Sequence, residues 1–176
     1  MYQSIRVAKT ALIQLALLII LSAPGYAESE QGSNRMSPEK LHAVISDYAK
    51  NAKVTNNLIS FEYQETKIYC IWDANADRMR MISPIANLSD LSSELLELAL
   101  KANYHTVLDA RYAIGDGVLY SAFIHPLSPI TNLEIESAIR QVSTAALTFG
   151  TSFTSGELVF PGESAEQAKK GKSPSL

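Results

Sequence analysis

Cysteine is almost missing from this chain: Cys70 is the only one in 176 residues. An internal disulfide is therefore excluded, even in an oxidising compartment, and stability has to come from an apolar core. A chain of this length can bury one. A basic excess is missing too. Fifteen Lys and Arg stand against 18 Asp and Glu, for a net charge of −3, which argues against nucleic acid or an anionic membrane as partner. Metal-ligand spacing is absent. His42, His105 and His125 fall in different predicted elements, with no H-x-H or H-E-x-x-H pattern. The "GDG" at 115–117 lacks the third glycine of a dinucleotide loop and leads into a strand instead of a helix. No cofactor is expected.

Long apolar runs are limited to the beginning. Arg6 and Lys9 precede an apolar stretch from Thr10 to Leu21, then Pro24 and Gly25-Tyr26-Ala27. Small residues three and one before the bond Ala27–Glu28 are the pattern of a signal peptide cleaved there. The stretch is too short to span ~30 Å of hydrocarbon, which takes about 20 residues. No cysteine lies near the cleavage point, so a lipoprotein anchor is not expected. Cleavage would leave 149 residues with a charge of −5, periplasmic or secreted, with no stable membrane span.

What is present reads as one α+β domain. Residues 28–36 form a polar leader. Ser37-Pro38 opens a helix, in which Leu41, Val44, Ile45, Tyr48 and Ala52 recur at helical spacing. Three strands follow at 58–63, 66–73 and 78–85, joined by connectors of two and four residues, short enough for antiparallel neighbours. A second helix starts near Ser89-Asp90, with Leu91, Leu95, Leu98 and Ala102 as one stripe and Leu96 and Leu100 as a flank. A hairpin spans 109–126. A third helix opens at Pro129 and Thr131, carries Ile135, Ile139, Val142, Ala146 and Phe149, and stops at Gly150. Residues 151–176 read as a largely disordered extension, with 151–160 able to dock as a short strand. The order α-β-β-β-α-β-β-α predicts an antiparallel sheet packed by helices.

The hairpin turn assigns faces. A two-residue turn at Gly115-Asp116 or Asp116-Gly117 puts Ala110, Tyr112, Ile114, Leu119, Ser121 and Phe123 on one face. Asp109, Arg111, Ala113, Val118, Tyr120, Ala122 and Ile124 fall on the other. By the same parity Ile59, Phe61, Ile68, Cys70, Trp72, Met79 and Met81 share the core face. Glu62, Tyr69, Ile71, Asp73, Arg78, Arg80 and Ile82 share the outer one. Aromatics beside arginines are enriched in protein interfaces, so Tyr69, Ile71, Arg80, Arg111, Tyr120 and Ile124 are the expected partner contacts.

Catalytic readings are weaker. Ser121 and His125 sit four residues apart on one strand, roughly 13 Å, beyond hydrogen-bond reach. Asp116 between glycines has a conformational reason to be in a turn. Cys70, mid-strand in "IYCIW", reads as a buried structural thiol. No catalytic or metal-binding residue is assigned.

"LLELALKANY", then "ARYAIGDGVLYSAFIHPL" and a closing amphipathic helix, resemble the type III secretion chaperone-like fold and its YbjN-like and CesT-like families. The features that carry the resemblance are Leu95 to Asn103, Asp116-Gly117, and Ile124 to Leu127. They imply a domain over residues 37–150 that binds polypeptide, uses no cofactor and often dimerises, here through the Leu-rich second helix. Secretion chaperones work in the cytoplasm, whereas this chain carries an export signal. The expectation is thus an exported, non-enzymatic domain holding a polypeptide client or envelope partner. The alternatives are a structural envelope subunit, or a small enzyme or inhibitor with a site assembled across elements.

Overall fold

The computed structural model describes residues 35–156. The expected signal peptide, most of the leader and the tail beyond Gly156 lie outside the described residues. Helix α1 (Pro38–Tyr48) begins with Ser37, whose hydroxyl accepts from the Lys40 N–H, and with a proline in its first turn. Its apolar spacing buries Leu41, Val44 and Ile45.

The helix does not reach Ala52. Ala49 is extended and Asn51 adopts φ +57°, a left-handed conformation that asparagine tolerates and a helix interior does not. The chain reverses into a strand, β1 (Lys50–Thr55), that the apolar pattern does not announce. Strands β2 (Leu58–Tyr63), β3 (Thr66–Asp73) and β4 (Arg78–Asn87) follow. A single 3-10 turn over Leu88–Asp90 leads to α2 (Ser93–His105), then β5 (Arg111–Gly115), β6 (Val118–Pro126) and α3 (Asn132–Thr148). Among the described residues the result is one antiparallel sheet of six strands, in the order β1-β2-β3-β4-β6-β5, with three α-helices. The α+β class and the order of the expected elements hold, with β1 added ahead of the first expected strand.

The face assignment holds as well. Asp116 and Gly117 both have positive φ, +49° and +76°, as a type I′ turn requires. Tyr112 therefore lies opposite Ser121, and Ile114 opposite Leu119. On the inner face Ile59, Phe61, Ile68, Cys70, Trp72, Met79 and Met81 are all buried. Helix α3 crosses that face against β2 to β6, and α1 packs on α3 and β1. Ile135, Ala138, Ile139 and Val142 form the buried stripe of α3. Each fully buried aliphatic or aromatic side chain contributes about 1.5–3 kcal/mol, so this single core is the main source of stability. The start of α3 is fixed by a capping box: Thr131 accepts from the Glu134 N–H and Glu134 accepts from the Thr131 N–H.

Two details of packing depart from expectation. Helix α2 starts at Ser93 with Ser92 as its cap, and its buried residues are Ala99 and Ala102. The inward stripe thus runs through Leu95, Ala99 and Ala102 at helical spacing, which leaves Leu98 and Leu100 outside, 46% and 68% exposed. The ordered chain also continues past Gly150. Phe153 and Ser155 are buried, and the Phe149, Phe153 and Tyr112 rings meet edge to face at 5.3–6.0 Å.

Candidate functional site

The outer face of the sheet is the candidate site. Its residues are positioned by register alone. In one cross-strand row Leu58, Ile71, Arg80 and Ile124 lie opposite one another. The next row runs Lys53, Ser60, Tyr69, Ile82, Ala122, Arg111 across all six strands. Tyr120 lies between Pro84 and Ala113. All six expected contact residues thus share this face. Ile71, Arg80 and Ile124 are direct neighbours. Tyr69 and Arg111 are separated by three strand spacings, ~14 Å. Ile124 is 63% exposed, Arg80 and Arg111 are exposed, and Tyr69, Ile71, Ile82 and Tyr120 keep partial exposure.

Two open clefts flank this row. One, of about 330 Å³, lies at the β3–β4 end and is lined by Ile71, Asp73, Arg78, Arg80 and Ile124 with Asn57. The other, of about 350 Å³, lies where β6 runs past the start of β5. Asp109, Arg111, His125, Glu134, Ser137 and Gln141 line it. Strand β5 pairs with β6 only as far as Arg111–Ala122, so Asp109 departs from the outer face. Its carboxylate accepts from Gln141 Nε2 at 3.2 Å, while its N–H and that of Ala110 donate to Gln141 Oε1. Gln141 is thereby the buried polar residue that holds the entry to β5. His125 Nδ1 lies 2.8 Å from the Pro126 carbonyl, which fits a donor at that nitrogen, and its ring stacks on Phe123. Glu134 is held below the usual carboxylate range by the Thr131 N–H and hydroxyl, with His125 adding to the effect.

The edges of the sheet are blunted. At β5, Asn103 of α2 occupies the backbone of Tyr112 in both directions. At β1, the register shifts between Lys50 and Lys53, and a bulge with lysines is a common way to discourage pairing at an edge.

The residues tested for chemistry lie apart. Ser121 is on the inner face, fully buried. Asp116 is in the hairpin turn. Cys70 is buried, and burial pushes its thiol up to about 12. Among the described residues no group of three or more His, Cys, Asp or Glu side chains is placed to hold a metal ion, and no helix is long and apolar enough to cross a membrane.

Sequence reasoning missed Lys67, Lys53 and Lys50 on the outer face. Lys67 shares the parity of Tyr69 and was accessible to the same argument. The two β1 lysines were not, because β1 itself carries no apolar alternation. The second cleft was missed as a unit because its eight lining residues come from three elements far apart in sequence.

No family model matches the chain, and no curated protein matches it. Among solved structures it is similar to a chain in the crystal structure of the ExsC–ExsE complex, with 10% identity and a TM-score of 0.48, over 62% of this chain and 90% of that one. At this level of similarity no site residue carries over.

Proposed function

We propose that the chain is a non-enzymatic, chaperone-like domain that binds a polypeptide on the outer face of its sheet, through Tyr69, Ile71, Arg80, Arg111, Tyr120 and Ile124. The observation that carries this reading is the bare apolar-arginine face, where large side chains stand in register while the helices pack on the other side. The blunted edges favour the face over strand addition as the contact surface. The signal-like residues 1–27 support a periplasmic or secreted location, with the partner a client or envelope protein. The exposed Leu98, Leu100 and Tyr104 of α2 support a homodimer through that helix. Membership of the YbjN-like and CesT-like families is part of the same proposal.

The test is crosslinking in the cell envelope, with the tagged chain expressed with its own signal. A specific polypeptide captured by the native chain and lost in Tyr120→Glu, with the fold intact, is the expected result. Capture that survives Tyr120→Glu contradicts it. Self-crosslinks alone would favour a structural envelope subunit.

The second cleft favours one other reading, a small enzyme or inhibitor. His125, Glu134, Asp109 and Arg111 meet there from three elements. Loss of a measured activity in His125→Ala with the fold retained would favour it.

A further inference from the structure

The charge of the outer face is opposite to that of the chain. Lys50, Lys53, Lys67, Arg78, Arg80 and Arg111 are all exposed on strands, and register or strand parity puts all six on this face. Its strands carry two carboxylates there, Glu62 and Asp73, and both are engaged. Glu62 accepts from Asn51 Nδ2 at 3.0 Å. Asp73 accepts from the N–H groups of Asn75 and Ala76 in the β3–β4 turn. The whole chain nevertheless carries −3.

None of the six cations is in an ion pair among the described residues, whose two salt bridges both lie on helices, Lys101–Glu97 on α2 and Arg140–Glu136 on α3. Arg111 donates to the carbonyl of Ala110, and Lys67 sits 5.4 Å above the Tyr69 ring, a weak cation–π contact at an exposed site. Glu62 stands opposite Lys50 and Lys67, and Asp73 opposite Arg78, so six cations against two carboxylates leave the strands of this face net positive, which complements a negative partner.

The apolar side chains narrow the class. The cleft of about 330 Å³ is lined by the half-buried Ile71 and the exposed Ile124 together with Arg78, Arg80 and Asp73. Aliphatic walls flanked by two arginines suit an apolar side chain with carboxylates next to it in sequence, since arginine matches a carboxylate in a two-pronged geometry. Stacked bases would call for exposed aromatic platforms, and the aromatic that lines this cleft, Trp72, is buried.

We infer that the outer face takes an acidic polypeptide segment, one that seats an apolar side chain between Ile71 and Ile124 and sets its carboxylates on Arg78 and Arg80. The inference rests on the outer face being the binding surface, and adds the chemistry of the occupant.

The test uses the whole purified chain and three fluorescent probes. One is a short peptide alternating aspartate with leucine and phenylalanine. The second has lysine in place of each aspartate, and the third is a uridine oligonucleotide. The aspartate peptide is expected to bind, to weaken about tenfold or more on going to ~0.5 M salt, and to weaken by a similar factor in Arg80→Glu. Arg80→Lys is expected to retain part of the affinity. Circular dichroism checks that each variant is folded. Equal or tighter binding of the lysine peptide overturns the acidic class. If the lysine peptide binds and is lost in Tyr120→Glu, the outer face stands as the binding surface and only the charge class falls. Binding of the oligonucleotide alone overturns both, as does aspartate-peptide binding unchanged by Arg80→Glu and Tyr120→Glu. No binding of any probe overturns the acidic class, and the envelope crosslink then decides the face separately.

Discussion

Asn103 closes one edge of the sheet as a neighbouring strand would. Its side-chain oxygen accepts from the Tyr112 N–H at 2.7 Å and its side-chain nitrogen donates to the Tyr112 carbonyl at 3.1 Å. A helix residue thus satisfies both backbone groups of an edge residue that would otherwise be open to pairing. Asn103→Ala is expected to destabilise the fold by about 1–3 kcal/mol and to increase concentration-dependent association. Denaturant titration and light scattering read the two effects. Stability and mass unchanged from the native chain would contradict the edge-closing role.

Cys70 has neighbours that keep it inert. It lies in the core between Ile59 and Met81 of the adjoining strands, and desolvation pushes its thiol up to about 12. A disulfide reagent at mildly alkaline pH is expected to react with the folded chain only at the rate of unfolding, and at once in denaturant. Rapid reaction without denaturant would show that the core strand is open.

Ser121 is fully buried and its hydroxyl has no hydrogen-bond partner. An unpaired buried hydroxyl costs about 1–3 kcal/mol. Ser121→Ala removes that cost with little change in volume, so thermal unfolding should move up or stay level. A clear fall in Tm would mean that the hydroxyl is satisfied.

Asp77 ties the β3–β4 turn to the chain after β6. Its carboxylate accepts from the Ser128 N–H at 2.7 Å and hydroxyl at 2.8 Å, and those bonds hold its pKa below the ordinary 3.8, with Arg35 and Arg78 assisting. A depressed acid stabilises the fold above its unfolded pKa, and that contribution is lost as pH falls through the folded value. Asp77→Asn should therefore lower the midpoint of unfolding at neutral pH and flatten its decline in acid below the unfolded pKa. An unaltered acid limb would contradict the linkage.

The faces of the sheet were legible because the chain repeats a period of two between short turns. Gln64-Glu65, the four residues Ala74 to Asp77, and Asp116-Gly117 set the parity of every strand after β1. Two helix starts were legible, in Ser37-Pro38 and in Thr131, while the second helix begins at Ser93 and not near Ser89-Asp90. Strand β1 was not, because it is exposed on nearly every position and Ala52 happens to fall on the helical spacing of α1. The inward face of α2 was misread at Leu98, since its leucines surround the helix and only packing against β5 decides which turn inward. The second cleft depends on Asp109 leaving the sheet to meet Gln141, a bond between residues 32 apart that no local pattern encodes. The six outer-face residues were placed by parity, and what they bind is the proposal that remains to be measured.

The central claim is that the outer face is the binding surface. The most direct measurement places a photo-crosslinking side chain in turn at Tyr120 on the outer face, at Leu100 on α2 and at Ser137 in the second cleft, and illuminates intact cells. The account predicts a partner polypeptide crosslinked from position 120 and not from 137, with position 100 giving the chain's own dimer. A partner captured from position 137 and not from 120 would contradict it, and would move the functional site to the cleft around His125 and Glu134.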